Sequence, residues 1–301
     1  GYLVEEGLAN KMKKPAMKRE VIYDPSQLEC NQREFTLCVG VPVYNEEKYI
    51  RETIQSLKKQ DFGDVKFLIS DNCSTDNTLN IICEEVIGDD RFEIFQHQGN
   101  VGAAGNFEFA FKNSQSKYFM WLGGHDFLSD FYLSTAIKSM GRDSGVSMVM
   151  GKPVAVAENS KEIGFLESGV YDFSDDKKEN RYLKSVAELS NCTVVHAIFL
   201  REALEDFEFR RTLSPDHVLI SHLLWHGKLK NLSNAFYYRR FFGERKESQD
   251  ERITGRPVKL ERKDFFDYYL DDLRKLSKDL NSLIRKKLIE SVDNTLRARF
   301  D

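Results

Sequence analysis

The most restrictive feature of this sequence is a repeated unit, in which an apolar run is followed by a polar turn and then by a helical pattern. Residues 36–43 (TLCVGVPV) are almost continuously apolar, which predicts a strand covered on both faces. Ile50, Ile54 and Leu57 then recur at helical spacing. The alternation continues with predicted strands at 65–70, 92–96 and 117–122 and predicted helices at 75–86 and 105–113. This rhythm predicts right-handed βαβ crossovers and an α/β fold with a mostly parallel, Rossmann-like sheet flanked by helices.

The remaining chain suggests a division into three regions. Residues 1–34 are charged and resemble a lead-in segment, residues 35–245 hold the α/β domain, and residues 246–301 form a helical C-terminal extension. In that extension Phe265, Tyr269 and Leu273 lie on one apolar stripe. Between residues 126 and 245 the alternation loosens, with predicted helices at 129–140, 177–190 and 215–227 and extended segments at 146–157, 192–200 and 232–242.

Composition narrows the class of protein and its compartment. The chain has 301 residues, is 41% hydrophobic and 31% charged, and has a net charge of −4, so no overall positive field favours a nucleic-acid partner. Its five cysteines include no C-x-x-C pair, which argues against a disulfide framework or a structural zinc site and favours a reducing compartment. No apolar run approaches the ~20 residues of a membrane span, and no signal peptide is visible. We expect a cytoplasmic protein, with the inner face of a membrane as a second possible location.

Three turns at predicted strand ends carry candidate binding residues. The first strand runs into Tyr44, Asn45 and Glu47, and the second ends at Asp71. The carboxyl ends of parallel strands share the edge where ligands bind, and a carboxylate can accept the ring N–H of uracil or thymine. Asp71 could instead only cap the following helix. The third turn, residues 100–106 (NVGAAGN), has small residues that let backbone N–H groups approach a ligand, although such turns are often only structural. A dinucleotide fingerprint would follow the first strand, where the turn has no such glycines.

Two other segments carry possible chemistry. Residues 121–128 (WLGGHDFL) end a predicted strand and contain His125 and Asp126. Asp216 lies in the first turn of a predicted helix, where the helix dipole favours a carboxylate even without a function. His222 and His226 on that helix have the spacing of two zinc ligands, but the glutamate of H-E-x-x-H is missing, so surface or packing histidines are expected.

Together these segments resemble family 2 glycosyltransferases of the GT-A fold. Those enzymes carry a strand ending in P-x-Y-N-E-E, a second ending in D-D-G-S-T-D, an N-x-G segment, a D-x-D strand end, and an E-D motif that starts a helix. The resemblance is strong through about residue 130. It implies that the nucleotide of a nucleotide sugar is bound by Pro42, Tyr44, Asn45, Glu47, Asp71, Asn100, Gly102 and Asn106.

The resemblance also implies roles at the irregular strand end and at the later helix. It places Gly123 and His125 at the acidic positions of D-x-D, so Asp126 is the remaining carboxylate. His125 and Asp126 would then face the diphosphate or hold a divalent cation, Mn²⁺ or Mg²⁺; imidazole suits Mn²⁺ better than Mg²⁺. His125 could also face phosphate as a cation, or be a turn residue without a role. Asp216 corresponds to the general base, with Pro215 in place of the usual glutamate.

The implied activity is transfer of a sugar, with inversion, from a UDP- or dTDP-linked donor to a hydroxyl of a glycan or lipid-linked acceptor in polysaccharide or glycoconjugate synthesis. The alternative is a weakened GT-A domain that binds nucleotide, sugar or a partner, favoured by Gly123 and Pro215 and opposed by Asp71, Asp126 and Asp216. Nucleotidyl transfer would require a Gly-rich, basic first turn. Arg239, Arg240 and Arg245 are either diphosphate contacts or solvated, and the C-terminal helices could contact a membrane surface or a partner protein.

Overall fold

The predicted strands and helices assemble around one sheet in the computed structural model, which describes residues 20–142, 145–242 and 248–300. The described strands are β1 Val21–Ile22, β2 Phe35–Val43, β3 Val65–Asp71, β4 Phe92–Gln96, β5 Ser116–Trp121, β6 Phe127–Leu128, β7 Val146–Val156, β8 Glu162–Phe165, β9 Ile198–Leu200 and β10 Lys228–Arg240. The described helices are α1 Ile50–Lys58, α2 Thr78–Glu85, α3 Gly102–Lys112, α4 Tyr132–Met140, α5 Lys178–Glu188, α6 Pro215–His226, α7 Gln249–Thr254, α8 Arg262–Leu276 and α9 Ser282–Phe300.

The described strands lie in the order β1-β4-β3-β2-β5-β9-β7-β10-β6, with β8 beside β7. Strands β1 to β5 are mutually parallel where they pair, and β10 is parallel to β7. Strand β9 is antiparallel to both β5 and β7, and β6 is antiparallel to β10. The α/β class with a mostly parallel sheet is therefore confirmed. In register, Val43 lies opposite Asp71 and Asp71 opposite Gln96, which brings the carboxyl ends of β2, β3 and β4 to one edge.

The described part of the predicted lead-in segment belongs to the same sheet and core. β1 pairs with β4 at the edge of the sheet, and Leu28 and Cys30 are fully buried. Residues 1–19 lie outside the described residues.

The C-terminal helices pack onto the α/β core rather than projecting from it. α8 contacts α6, and α9 contacts α5 and α8. The apolar stripe predicted for this region is buried there, since Phe265, Tyr269 and Leu273 are at most 2% exposed. This stripe therefore covers the chain's own helices. Leu283 and Ile284 on α9 remain exposed, and a contact of these helices with a membrane or partner stays a prediction. Among the described helices, none combines the length and apolar character that crossing a membrane requires.

Candidate active site

The loops after β2 and β3 are joined to each other by hydrogen bonds. Asn45 has a left-handed backbone (φ 55°), and its Oδ1 accepts the N–H of Thr75 at 2.8 Å. Glu47 Oε2 accepts the N–H of Asn77 at 3.0 Å. Asn45 does not cap the next helix, because α1 begins only at Ile50. These side-chain oxygens of Asn45 and Glu47 therefore hold the second loop in place, and the nucleotide contact of the two residues stays a prediction.

Asp71 is buried at the end of β3 with one oxygen satisfied and one not. Its Oδ2 accepts the N–H of Ser74 at 3.1 Å and the side-chain amide of Gln96 at 3.0 Å. Its Oδ1 is buried and has no hydrogen-bond partner among the described residues. Pro42 is buried on the neighbouring strand and Tyr44 is half-buried after it. A buried acceptor without a donor is costly, so this oxygen fits a ligand that donates a hydrogen bond.

The structure corrects the role that was predicted for Asn106 in the nucleotide site. Its Oδ1 accepts the hydroxyl of Ser70 at 2.6 Å and faces His97 Nε2 at 3.1 Å. Its Nδ2 donates to the backbone oxygens of Ser70 (2.9 Å) and Val43 (3.4 Å). All the hydrogen-bonding positions of this amide are thus used inside the protein. Asn106 joins α3 to β2 and β3 and has no group left for a nucleotide.

The turn before α3 lies directly against α7. Asn100 Oδ1 accepts the N–H of Gly102 at 2.8 Å. Gly102 has φ +79°, and a Cβ built on it would lie 2.5 Å from the carbonyl oxygen of Ile253. A Cβ on Gly255 (φ +70°), just after α7, would lie 2.7 Å from the nitrogen of Gly102. The two backbones therefore approach in a way that only glycines permit, and the predicted nucleotide turn is partly covered by α7.

A cavity of about 470 Å³ lies beside this turn, between the ends of β5 and β10 and the starts of α3 and α6, with α7 as a further wall. Its lining brings together the predicted residues His125, Asp126 and Asp216. It also includes His196 and Arg239. Asp71 and the other predicted nucleotide residues lie outside this lining, on the adjoining rim of the sheet.

Asp126 is held by β10. Its Oδ2 accepts the hydroxyl of Tyr237 at 2.6 Å, and its Oδ1 accepts the N–H of Arg240 at 2.8 Å. Burial, together with the Asp126 charge, raises the pKa of Tyr237 well above its usual value, so the phenol remains a donor. The Arg240 guanidinium donates to the carbonyl oxygen of His125 at 2.9 Å and pairs with Glu52. Arg240 is therefore neither solvated nor a diphosphate contact, and Arg245 lies outside the described residues.

His125 is oriented by a carboxylate. Its Nδ1–H donates to Glu46 Oε1 at 2.7 Å, and its ring meets Phe242 edge-on at 4.8 Å. Its Nε2 lies 3.9 Å from Asp126 Oδ1. A Cβ built on Gly123 would lie 3.0 Å from Asp126 Oδ2 and 3.6 Å from His125 Nε2. The position of the first family carboxylate is therefore adjacent to both residues, but this chain places no side chain there.

The donor set does not fit a metal site made by the protein alone. Within residues 20–142, 145–242 and 248–300, no group of three His, Cys, Asp or Glu side chains is placed to hold a metal ion. Gly123 supplies no ligand, and both oxygens of Asp126 already accept hydrogen bonds. Mg²⁺ would need further oxygen ligands beyond Asp126, of the kind that substrate phosphates and water supply.

Asp216 occupies the first turn of α6, after Ser214, whose φ of 43° turns the chain into the helix. Its Oδ1 accepts the N–H of His217 at 3.1 Å. Burial, together with the adjacent Asp216 carboxylate, raises the pKa of the Cys192 thiol well above its usual value, so a neutral thiol faces this carboxylate. A partly exposed carboxylate at a cavity wall, beside a neutral donor, is able to accept a proton from a bound hydroxyl.

His196 extends the site beyond the residues predicted from sequence, and Arg239, one of the predicted candidates for a diphosphate contact, lies at the same cavity. The segment 192–200 was predicted to be extended, but Cys192–His196 form a 3₁₀ turn, because the side chain of Asn191 accepts the N–H of Thr193 at 3.0 Å. Arg239 donates to the side chains of the same Asn191 and Thr193. Burial lowers the pKa of His196 to about 4. An asparagine opening the turn was the available signal for this structure.

Comparison with known proteins gives a family-level match. Residues 38–207, more than half of the chain, match the family described as Glycosyl transferase family 2. Asp216 lies beyond the matched residues. The poly(ribitol-phosphate) beta-N-acetylglucosaminyltransferase TarS of Staphylococcus aureus is 35% identical over 101 residues, covering 33% of this chain and 18% of TarS. The GalNAc(5)-diNAcBac-PP-undecaprenol beta-1,3-glucosyltransferase of Campylobacter jejuni is 24% identical over 208 residues, covering 68% of this chain and 65% of that protein. The chain thus matches less than a fifth of the length of TarS.

Solved structures with the same fold include two bound to nucleotide sugars. The S. aureus TarS 1–349 complex with UDP-GlcNAc has a TM-score of 0.62 at 19% identity, covering 88% of this chain and 73% of that one. The mannosyltransferase PcManGT of Pyrobaculum calidifontis, in complex with GDP-Man and Mn²⁺, has a TM-score of 0.50 at 14% identity, covering 95% and 77%. At these identities the likeness concerns the fold.

Proposed function

Because this chain belongs to glycosyl transferase family 2, we propose that it transfers a sugar from a nucleoside diphosphate sugar to a hydroxyl group, with inversion at the sugar carbon. The observation that carries this proposal is the placement of Asp216, His125 and Asp126 around one cavity. That cavity adjoins the sheet edge where Asp71 keeps an unsatisfied oxygen. This arrangement supports a proposed base in the cavity wall and a proposed nucleotide site at the adjoining sheet edge.

The donor in this proposal carries a uracil or thymine base. The unsatisfied Oδ1 of Asp71 is a hydrogen-bond acceptor, and the ring N–H of these bases is a donor. The structural relatives named above bind UDP-GlcNAc in one case and GDP-Man in the other. The identity of the nucleotide base must therefore be measured for this chain and cannot be inferred from these relatives.

The proposed reaction is a single displacement. The acceptor oxygen forms a bond to the anomeric carbon as the bond from that carbon to the diphosphate oxygen breaks, and the nucleoside diphosphate leaves. Asp216 takes the proton from the acceptor hydroxyl. Two side chains at the cavity, Arg239 and a protonated His125, stabilise the charge that develops on the diphosphate in this proposal. No step is assigned to a metal, and the requirement for Mn²⁺ or Mg²⁺ stays a prediction.

The proposed acceptor is a glycan or a lipid-linked glycan, and the proposed place of work is the cytoplasm or the inner face of a membrane. The named relatives act on poly(ribitol-phosphate) and on an undecaprenol-linked glycan, which supports an acceptor of this general class. Contact with a membrane or partner protein would involve the exposed Leu283 and Ile284, since the larger apolar stripe of the C-terminal helices is buried.

The Asp216→Asn substitution tests the proposed base. It keeps the size of the side chain and its acceptance of the His217 N–H, but the amide cannot take the proton. We expect donor binding to be unchanged and turnover to fall by at least about 10²-fold. Asp264→Asn is a matched control, because Asp264 also lies in the first turn of a helix, α8, and is exposed.

A near-normal rate for Asp216→Asn would remove this residue from the mechanism. If the unmodified chain bound the donor without transferring the sugar to any acceptor tested, the alternative of a nucleotide- or sugar-binding module would be favoured.

A further inference from the structure

His196 faces the cavity but has no part in the proposed transfer step. Its Nδ1 lies 3.0 Å from the carbonyl oxygen of Trp121, the last residue of β5. Because a carbonyl oxygen can only accept, Nδ1 carries the hydrogen and donates it. In the neutral ring, Nε2 is then left with a lone pair and acts as an acceptor.

The ring is fixed in this orientation by its neighbours. It stacks on Tyr237 with the centroids 5.1 Å apart and the planes inclined by 15°. The hydroxyl of Tyr237 is itself bound to Asp126. Burial lowers the pKa of His196 to about 4; the charges of Arg239 and His125 act in the same direction and that of Asp126 opposes them. The ring is therefore neutral near pH 7, and Nε2 keeps its lone pair.

The 3₁₀ turn that carries His196 runs along the cavity from the side of Asp216 to the end of β5. Cys192 at its start lies beside Asp216, and His196 at its end lies against Trp121. Four residue steps at a rise of about 2 Å per residue separate the two ends by roughly 8 Å. His196 is therefore on the β5 side, with Asp126, and away from the proposed base. Under the proposed function, that side holds the donor's sugar and diphosphate.

The chemistry of Nε2 discriminates between these two parts of the donor. Diphosphate oxygens are acceptors at neutral pH, so a lone pair on Nε2 gains nothing from them. Sugar hydroxyls can donate. We propose that His196 is a specificity-determining residue, whose Nε2 accepts a hydrogen bond from a hydroxyl group of the donor's sugar. This assignment rests on the proposed function, because it requires a nucleotide sugar in the cavity.

Calorimetric titration of two variants tests the assignment. His196→Asn keeps an N–H that can donate to the Trp121 carbonyl but has no group at the position of Nε2. His196→Gln can place an amide oxygen near that position. The probes are UDP, UDP-GlcNAc, UDP-glucose and UDP-galactose, together with GDP and GDP-mannose. His196→Phe keeps the ring stacked on Tyr237 and replaces His196→Asn if melting shows that the asparagine variant does not fold.

We expect the unmodified chain to bind at least one of these nucleotide sugars more tightly than its parent nucleotide. The loss of one neutral hydrogen bond in His196→Asn should weaken the binding of that nucleotide sugar by about threefold to tenfold. The affinity for the parent nucleotide should be unchanged. His196→Gln should recover part of the loss.

Three results would overturn the assignment: no loss in His196→Asn, an equal loss for nucleotide and nucleotide sugar, or no gain from any sugar in the unmodified chain. A failure of the proposed transfer reaction can be distinguished from a failure of the His196 assignment. In that case the binding of the nucleotide sugar would still depend on His196, but no acceptor would receive the sugar.

Discussion

Gly123 leaves a space beside Asp126 in which a carboxylate would be crowded. A Cβ at this position would lie 3.0 Å from Asp126 Oδ2, and the nearest imidazole nitrogen, on His125, would be 3.6 Å away. Two carboxylates this close repel each other unless a cation or a proton lies between them. At the residue scale, glycine at this position therefore avoids a repulsion between carboxylates that only a cation or a proton would relieve.

Gly123→Asp should make the stability of the protein depend on divalent cations. We expect its melting temperature to fall in EDTA, because the new carboxylate faces Asp126, and to recover in part when Mn²⁺ is added. Gly123→Asn adds a side chain of the same size without the charge. Its melting temperature should be lowered equally in EDTA and in MnCl₂. The measurement is thermal melting with EDTA and with MnCl₂. If the aspartate variant ignored Mn²⁺, the space beside Asp126 would not be a latent cation site.

His196 should make the protein less stable in mild acid. Its pKa is about 4 in the fold and about 6.5 when unfolded, so between these values the unfolded chain binds more protons. Stability is therefore present above pH 6.5 and is lost as the pH falls toward 4. Between pH 7 and pH 5 this histidine accounts for at most about 2 kcal/mol of the loss. Urea unfolding at the two pH values should show a smaller loss for His196→Asn; equal losses would contradict the assigned burial.

The elements that carry long apolar runs were predictable, and the short elements around the cavity were not. β4 was predicted at 92–96 and is observed at Phe92–Gln96, because a buried parallel strand must be apolar on both faces. The same reasoning located β2 and β3. By contrast, α7 is six residues long with no buried residue, so its position depends on the contact with Gly102 and not on its own periodicity.

The candidate site shows the same division. His125, Asp126 and Asp216, predicted through the family resemblance at the ends of predictable strands and helices, do line one cavity. His196 was not predicted, since its turn depends on a cap by Asn191 and its orientation on the carbonyl of Trp121. Asn106 was assigned to the nucleotide through the family resemblance. Sequence spacing does not reveal that its amide is already bonded to Ser70 and Val43. Side-chain partners distant along the chain are what sequence reasoning lacked.

Gly102→Ala should displace α7 from the wall of the cavity. The alanine would be strained by the left-handed backbone, and its Cβ would lie 2.5 Å from backbone atoms of α7. Gly88→Ala is the matched control, because Gly88 has the same φ of +79° but nothing within 4 Å of a Cβ. We expect Gly102→Ala to cost about 1–3 kcal/mol more than the control in urea unfolding. It should also speed tryptic cleavage at Arg252. Equal costs for the two variants would show that the contact with α7 is not tight.

At the scale of the whole molecule, a buried polar network joins the C-terminal helices to the helix that carries Asp216. His222 Nδ1 on α6 lies 2.7 Å from Asp272 Oδ1 on α8, and the hydroxyl of Tyr182 on α5 donates to Asp272 Oδ2 at 3.2 Å. Both His222 and Asp272 are at most 6% exposed. The histidines spaced as zinc ligands thus include a packing residue, as the sequence suggested.

His222→Leu should be strongly destabilising, because it removes the partner of Oδ1 in the buried Asp272 carboxylate and leaves only the hydroxyl of Tyr182 on Oδ2. Removing one member of such a pair costs about 3–5 kcal/mol. Lys263→Ala is the control on α8, the helix that carries Asp272, since Lys263 and its partner Asp267 are 81% and 50% exposed and such pairs are worth about 0–1 kcal/mol. Urea unfolding of both variants gives the comparison. A loss below about 1 kcal/mol for His222→Leu would mean that α8 contributes little to holding α6.

The packing of His217, beside the proposed base, has a consequence for the order in which the protein is completed during synthesis. The ring of His217 meets Phe265 and Phe300 edge-on at 6.2 and 6.0 Å. Both partners emerge from the ribosome after α6, whereas the parallel strands that hold Asp71 emerge early. Because domains fold progressively as they are synthesised, the nucleotide rim can form while the start of α6 still lacks its covering. Donor binding would then be acquired before the geometry for transfer.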